Sequence, residues 1–226
     1  MQPLIGVEVP LSGSRLHVFD MDGTLLIGAA TVVLAGHFGD LAAGNRIEAG
    51  WLAGTVTEQE FWQTLLDVCG EATAADLDAA FHGARWMSGI ADTFADIRAR
   101  GEAAIVISQS PAFFVQRLQY WGAHETYGSD VEIGRPLSEG ATLSPEAKVE
   151  ITKDALGRLG LTSAACVAYG DSSSDVDLFD WLEHTVAVNA SPAITQMAAA
   201  SYTGTDISEA YAIGRRLLRA KGADLS

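Results

Sequence analysis

The chain has 226 residues, of which 48% are hydrophobic and 19% charged, so a buried core is expected and wholesale disorder is excluded. Its formal net charge of −15 argues against nucleic acid or an anionic membrane as a partner, because both would repel so negative a surface. No run approaches the roughly 18 apolar residues of a membrane span, and Met1–Leu4 lacks the basic start of a secretory signal. We therefore expect a cytoplasmic protein with Cys69 and Cys166 reduced.

The predicted elements alternate between strands and helices. In chain order they are a strand at 15–19, a helical block at 29–88, a helix at 91–100, a strand at 103–107, helices at 111–121 and 146–159, a strand at 165–169, a helix at 174–182, a strand at 185–188 and a helix at 206–220. Glycines in 128–141 favour a short hairpin there. This order predicts an α/β fold, a Rossmann-like parallel sheet flanked by helices. We divide the chain into a core, 1–28 and 89–226, and an inserted all-helical cap, 29–88.

Polar residues gather where the predicted strands end, the edge at which open α/β sheets bind ligands. The segments that meet there are Asp20-Met21-Asp22-Gly23-Thr24, Ser108-Gln109-Ser110-Pro111, Gly170-Asp171-Ser172-Ser173-Ser174-Asp175, and the start of the helix that carries Lys148. Several carboxylates in one pocket repel one another unless a cation neutralises them, and oxygen ligands of this kind suit Mg²⁺. A carboxylate can also attack phosphorus, and a second acid two residues on can move the protons. Ser110 as N-cap and Pro111 as first helical residue would aim free N–H groups at a phosphate.

These four segments resemble, in order, the four motifs of the haloacid dehalogenase-like (HAD) hydrolase superfamily. The helical block resembles the cap of its phosphoserine-phosphatase-like branch. The resemblance implies Asp20 as nucleophile and Asp22 as general acid and base. It implies Mg²⁺ held by the Asp20 side chain, the Asp22 backbone carbonyl and Asp171, with Asp175 supporting metal-bound waters or binding directly. Ser108 and Lys148 would hold the phosphoryl oxygens, and we include Gln109 in the phosphate-binding set.

Each of these residues also has a plainer interpretation. Asp171 and Asp175 could merely cap the following helix, and Ser108 could be a strand-end serine without a ligand. Lys148 and Lys153 lie five residues apart, which rotates them about 140° on a helix, so only one can face the site. We favour Lys148. Tryptophans Trp51, Trp62 and Trp86 are interpreted as cap core rather than a substrate platform, and the five histidines as structural or exposed.

The predicted function is a Mg²⁺-dependent phosphatase acting on a small phosphorylated metabolite through an aspartyl-phosphate. A phosphotransferase that uses the same intermediate stays open, as does a homodimer. A dehalogenase would not need Asp22, and a phosphonate hydrolase of this family needs a cap lysine, which 29–88 lacks. From a different class, a non-catalytic phospho-acceptor resembling a receiver domain would carry neither the cap nor Asp22.

The substrate is less defined, because the chain departs from phosphoserine phosphatases at two places. Gln109-Ser110-Pro111 stands where their second motif continues with glycines. Ile27-Gly28-Ala29-Ala30 stands where they carry a glutamate for the substrate ammonium. Candidate specificity residues in the cap, each interpreted as a surface residue before a contact, are Arg46, Glu58, Glu60, His82 and Arg85.

Overall fold

The structure is a computed structural model that describes residues 11–220. A six-stranded sheet in the order β3-β2-β1-β4-β5-β6 has every neighbouring pair parallel. The strands are β1 (Leu16–Phe19), β2 (Ala103–Pro111), β3 (Glu125–Ser129), β4 (Cys166–Gly170), β5 (Thr185–Val188) and β6 (Ala200–Tyr202). The α-helices are α1 (Ala30–His37), α2 (Leu41–Leu52), α3 (Glu58–Cys69), α4 (Ala74–Gly83), α5 (Ile90–Ala99), α6 (Ala112–Val115), α7 (Pro145–Leu159), α8 (Val176–Trp181), α9 (Pro192–Met197) and α10 (Ile207–Ala220). The predicted α/β fold with a parallel sheet is confirmed.

Both faces of the central strands are buried, as expected for a parallel sheet covered by helices on both sides. On β1, Leu16 and Val18 join the hydrophobic cluster that contains residues of α7, α8 and α9. Phe19 joins the other cluster, with residues of α5, α10 and the helices α1, α3 and α4. Residues that alternate along β1 therefore serve two separate cores, and the polar residues that follow the strand emerge at the edge between them.

Helices α1–α4 lie between β1 and β2, and one antiparallel bridge between Leu26 and Trp86 pairs the segment before α1 with the segment after α4. Leu25 O accepts from Met87 N at 2.9 Å, and Ile27 N donates to Arg85 O at 2.8 Å. A further tie comes from the buried Arg117, which donates to the Asp78 carboxylate of α4 at 2.7 Å. The division into a core (1–28, 89–226) and a cap (29–88) stays a prediction, and 1–10 and 221–226 lie outside the described residues.

Several predicted boundaries differ from the structure. The hairpin expected in 128–141 is wrong, because β3 runs parallel to β2 and ends at Ser129. Strand β2 continues to Pro111, so Ser108–Ser110 lie within it rather than after it. Strands β3 and β6 and helix α9 were not predicted. Within residues 11–220, no helix combines the length and apolar character needed to cross a membrane.

His17 of β1 is buried, and both of its ring nitrogens are hydrogen-bonded. Its Nδ1 lies 3.1 Å from the Tyr169 hydroxyl and its Nε2 lies 3.0 Å from Glu102 Oε2. A neutral ring with its proton on Nε2 satisfies both contacts, with the tautomer assigned from these partners. Burial lowers the pKa of His17, and the bond to the Glu102 carboxylate offsets this only in part.

This lowered pKa makes His17 a source of acid instability. Because the folded pKa lies below the unfolded value of about 6.5, the unfolded chain binds more protons there, and stability present above that pH is lost as pH falls. We expect the free energy of unfolding of the wild type, relative to His17→Gln, to fall by up to about 1.4 kcal/mol per pH unit below pH 6.5. Urea unfolding at several pH values measures this, with the exposed His37→Gln as control; a pH-independent difference contradicts it.

Candidate active site

Asp20 and Lys148 form a buried ion pair at the carboxyl edge of the sheet. Asp20 follows β1, and Lys148 lies in the second turn of α7, a helix that Ser144 caps and Pro145 begins. Lys148 Nζ lies 2.7 Å from Asp20 Oδ1 and 2.6 Å from Asp175 Oδ1, and it also donates to Ser174 Oγ at 3.0 Å. Lys148 is 1% exposed and Asp20 6%. The three donors of the ammonium are therefore all engaged within the site.

The loop after β4 carries Asp171 and is held in place by Asp175. Asp175 Oδ2 accepts from the backbone N–H of Asp171 at 3.0 Å and of Ser172 at 3.3 Å. Asp175 thus caps its own loop and not the following α8, unlike the plainer interpretation, and its other oxygen contacts Lys148. Asp171 does not share this pattern: its Oδ1 is buried without a hydrogen-bond partner among the described residues. Such an orphaned carboxylate oxygen needs a positive partner.

Gly23 allows the two acidic loops to approach each other. It adopts φ +75°, which favours glycine, and a Cβ built there would lie 2.1 Å from Asp171 Oδ2. Gly170 plays a similar part, because a Cβ there would lie 2.3 Å from Asp175 Cγ. The absence of a side chain at Gly23 therefore lets the first and fourth predicted motifs come this close, and its absence at Gly170 lets Asp175 fold back onto its own loop.

Asp22 is held by three donors, and two of them are serines. Its Oδ1 accepts from Ala30 N at 2.6 Å, and its Oδ2 accepts from Ser108 Oγ at 3.0 Å and Ser110 Oγ at 2.7 Å. The prediction that Ser110 caps a helix is wrong, because Pro111 is the last residue of β2 and the following α6 has only four residues. The expectation that free backbone N–H groups at the start of that helix point at a phosphate is therefore also wrong. Ser108 directs its single proton at Asp22, so its predicted phosphate contact would require the hydroxyl to turn.

Gln109 is the remaining residue of the predicted phosphate-binding set. Gln109 lines the cavity above Asp20, and its side-chain amide donates to Leu143 O at 3.0 Å. Lys153, the alternative to Lys148, is exposed and pairs with Glu150 at 2.9 Å. The structure therefore brings Asp20, Asp22, Ser108, Lys148, Asp171 and Asp175 into one site.

The donor set fits a hard divalent cation. One carboxylate oxygen from each of Asp20, Asp171 and Asp175 can be chosen so that all lie within 4.8 Å of one another. Four carboxylates, counting Asp22, face one ammonium, so the site carries excess negative charge. Oxygen ligands of this charge suit Mg²⁺. Both Asp175 oxygens already accept hydrogen bonds, which leaves Asp20 and Asp171 as the better direct ligands.

Burial is the largest single influence on the pKa of each of these groups. It raises the pKa of Asp20, Lys148 opposes this, and the charges of Asp175 and Asp171 raise it further. Burial also raises the pKa of Asp22, against the hydrogen bonds from Ser110, Ala30 and Ser108. Burial alone would lower the pKa of Lys148, but Asp175 and Asp20 outweigh it and the pKa rises. Lys148 therefore stays charged, and the carboxylates compete for too little positive charge.

A cavity of about 500 Å³ lies above Asp20, between the sheet edge and helices α1–α3. Its walls include Glu48, Trp51, Glu58 and Trp62. Trp86 lies instead in an aromatic cluster with Phe81, Phe114 and Trp121, so the cap-core interpretation describes Trp86 but is incomplete for Trp51 and Trp62. Of the five cap candidates, Glu58 alone is among the described residues that line the cavity.

The sequence analysis missed Glu48 and the contact of Ser110 with Asp22. Glu48 had a detectable signal, because Gly44, Glu48, Trp51 and Leu52 recur at helical spacing and so share one face of α2. Three of these four, Gly44 excepted, line the cavity. Nothing local to Ser110 signals its contact, since Asp22 is distant in sequence.

The chain is similar to phosphoserine phosphatases in sequence and in fold. A curated phosphoserine phosphatase of Wolinella succinogenes is 22% identical over 208 residues, covering 88% of this chain and 98% of its own. Phosphoserine phosphatase SerB2 of Mycobacterium tuberculosis is 25% identical over 192 residues, covering 83% of this chain; the match spans 47% of that protein, about half its length. Among solved structures, a phospho-aspartyl intermediate analogue of phosphoserine phosphatase superposes with a TM-score of 0.69 at 18% identity, covering 87% of this chain and 97% of its own.

The family comparison covers most of the chain, including every residue of the site. The family model for haloacid dehalogenase-like hydrolases matches residues 17–180. That range begins within β1 and ends in α8, so it includes Asp20, Asp22, Ser108, Lys148 and Asp175. The chain therefore belongs to the haloacid dehalogenase-like hydrolases.

Proposed function

We propose that the protein is a Mg²⁺-dependent phosphatase that hydrolyses a small phosphate monoester through a phosphorylated Asp20. The observation that carries the proposal is the placement of Asp20: a carboxylate of 6% exposure that opens into a cavity, paired with Lys148 at 2.7 Å. The phosphoserine phosphatases to which the chain is similar support the reaction class.

The first step follows from the two acids of the first loop. Lys148 holds Asp20 Oδ1, and the second oxygen attacks phosphorus while the bond between phosphorus and the leaving oxygen breaks. Asp22, positioned by Ser108, Ser110 and Ala30, gives its proton to the leaving alkoxide. When bound, Mg²⁺ neutralises charge on the phosphoryl oxygens. Asp171 and Asp20 would hold it, and Asp175 positions Lys148 and the Asp171 loop.

The second step returns the enzyme to its starting state. Asp22, now ionised, takes a proton from a water molecule that attacks the phosphorus of the aspartyl-phosphate. The bond between phosphorus and the Asp20 oxygen breaks, inorganic phosphate leaves, and both carboxyl groups recover their initial protonation. The same residue thus acts as acid in one step and base in the next.

Metal removal is the direct test of this proposal. We expect EDTA to abolish release of phosphate from p-nitrophenyl phosphate and Mg²⁺ to restore it, because the single ammonium of Lys148 offsets only part of the charge of the four carboxylates. Mg²⁺ should also raise the thermal unfolding midpoint, since it binds only the folded site. Asp171→Asn should lose that rise, whereas Asp177→Asn, an exposed change of equal charge on α8, should keep it. Full activity in EDTA would contradict the metal role.

A further inference from the structure

The cavity wall opposite Asp20 is acidic and aromatic. Glu48 is half-buried there, and the Thr31 side chain lowers its pKa against the larger effect of burial. Trp51 and Trp62 both pack against Phe61, with ring centroids 5.4 Å and 5.3 Å from it. All of these residues line the cavity. Because the substrate phosphate must reach Asp20, the rest of the substrate has to occupy this space.

No described residue that lines the cavity is a lysine, an arginine or a histidine. The nearby ammonium of Lys148 is committed to Asp20, Ser174 and Asp175 and has no donor left over. A carboxylate on the leaving group would therefore lie beside Glu48 and Glu58 with no cation to pair with it. Like charges in a partly desolvated site repel strongly, so such a substrate is disfavoured.

A positive leaving group would meet the opposite conditions. Burial and the charge of Asp22 raise the pKa of Glu48, so an approaching cation would stabilise its ionised form. The faces of tryptophan rings also attract ammonium groups, most strongly where water is partly excluded. Acidic and aromatic groups thus favour the same kind of ligand.

We propose, on the basis of the phosphatase function above, that the substrate is the phosphate monoester of an amino alcohol without a carboxylate, whose ammonium binds Glu48 beside Trp51 and Trp62. Glu48 is a specificity residue in this arrangement and takes no part in the phosphoryl transfer. The chain would thereby discriminate against phosphoserine, which carries the same ammonium together with a carboxylate.

Three esters test this proposal with Mg²⁺ present, and two of them, phosphoethanolamine and n-propyl phosphate, are matched in size. Phosphoethanolamine carries the ammonium alone, O-phosphoserine adds a carboxylate, and n-propyl phosphate replaces the ammonium with a methyl group. We expect kcat/KM for phosphoethanolamine to exceed both others by roughly tenfold or more, the usual range for a hydrogen bond to a charged group. Glu48→Gln should reduce the ratio of phosphoethanolamine to n-propyl phosphate by about tenfold. Glu71→Gln, an exposed substitution of equal charge between α3 and α4, should preserve that ratio.

A binding measurement separates recognition from turnover. Calorimetry of the Asp20→Asn variant should detect phosphoethanolamine, and adding Glu48→Gln should weaken the binding about tenfold. O-phosphoserine used as well as phosphoethanolamine, or a ratio indifferent to Glu48→Gln, overturns the inference. The phosphatase function survives that result if p-nitrophenyl phosphate is still hydrolysed only with Mg²⁺ and intact Asp20. A wild type that does not hydrolyse p-nitrophenyl phosphate with Mg²⁺ contradicts the phosphatase function instead, and hydrolysis that persists in Asp20→Asn contradicts Asp20 as the nucleophile. In either case, calorimetry that compares phosphoethanolamine binding by the wild type and by Glu48→Gln judges Glu48 by itself.

Discussion

Asp20→Asn is expected to lower kcat for p-nitrophenyl phosphate by at least about ten-thousandfold, as when other catalytic nucleophiles are removed. An amide oxygen is a far weaker nucleophile than a carboxylate, and no described residue supplies a second carboxylate in the same contact with Lys148 except Asp175, whose oxygens are both engaged. The fold should persist, because Lys148 keeps its 2.6 Å contact with Asp175 after the change. Phosphate release measures the first effect and circular dichroism the second.

The matched control for Asp20→Asn is Asp177→Asn, which removes one exposed carboxylate from α8 and leaves the site intact. Its kcat should remain close to that of the wild type, since exposed substitutions remote from a site have small effects. Acid quenching during turnover should trap labelled phosphoenzyme in the control and none in Asp20→Asn. Label retained on the Asp20→Asn protein would mean that another residue is the nucleophile.

Asp22→Asn is expected to slow both halves of the reaction, by about a hundredfold to ten-thousandfold each. Asparagine keeps one oxygen that can accept from Ser108 and Ser110, whereas its NH2 group then faces the Ala30 N–H and loses that hydrogen bond. It can neither give nor take a proton at this position. Rapid acid quenching resolves formation of the phosphoenzyme from its breakdown. Normal breakdown alongside slowed formation would remove Asp22 as the base.

Ser110→Ala tests how far the positioning of the Asp22 side chain matters, separately from its role in proton transfer. The substitution removes one hydrogen bond to Asp22 Oδ2 and leaves the carboxyl group and the contact with Ser108. We expect a loss much smaller than that of Asp22→Asn, because Ala30 and Ser108 still orient the side chain. Equal losses in the two variants would indicate that both act only by disturbing the loop.

The elements that the sequence predicts well are those with strong local signals. The strand at 185–188 matches β5 because a continuous apolar run lies between polar turns. Helix α7 shows its start in Ser144-Pro145 and its stop in Gly160, which adopts φ +67°. Strands β3 and β6 lie at the two edges of the sheet, and their half-exposed, polar residues give no such pattern. For this reason the sequence pattern predicts neither β3 nor β6.

The residues of the site were predictable to the extent that each follows a recognisable strand or begins a helix. Asp20, Lys148 and Asp171 fall at such positions. Ser110 shows where this reasoning fails, because Ser-Pro is a strong local start signal for a helix, yet β2 continues through it. Pairing of Pro111 with Ser129 extends the strand, and Asp22 attracts the hydroxyl. Contacts made by distant segments overrode the local preference, and only the folded chain reveals them.

The close approach of Gly23 to Asp171 ties two loops that lie far apart in the chain. A single added methyl at position 23 would overlap the Asp171 carboxylate at 2.1 Å. A residue with a Cβ at this position would require the Asp171 side chain or its loop to move, so we expect the two segments to change together during divergence. A redesign that enlarges the side chain at position 23 alone would create a steric clash with Asp171. A change in one loop therefore has to be matched by a change in the other loop.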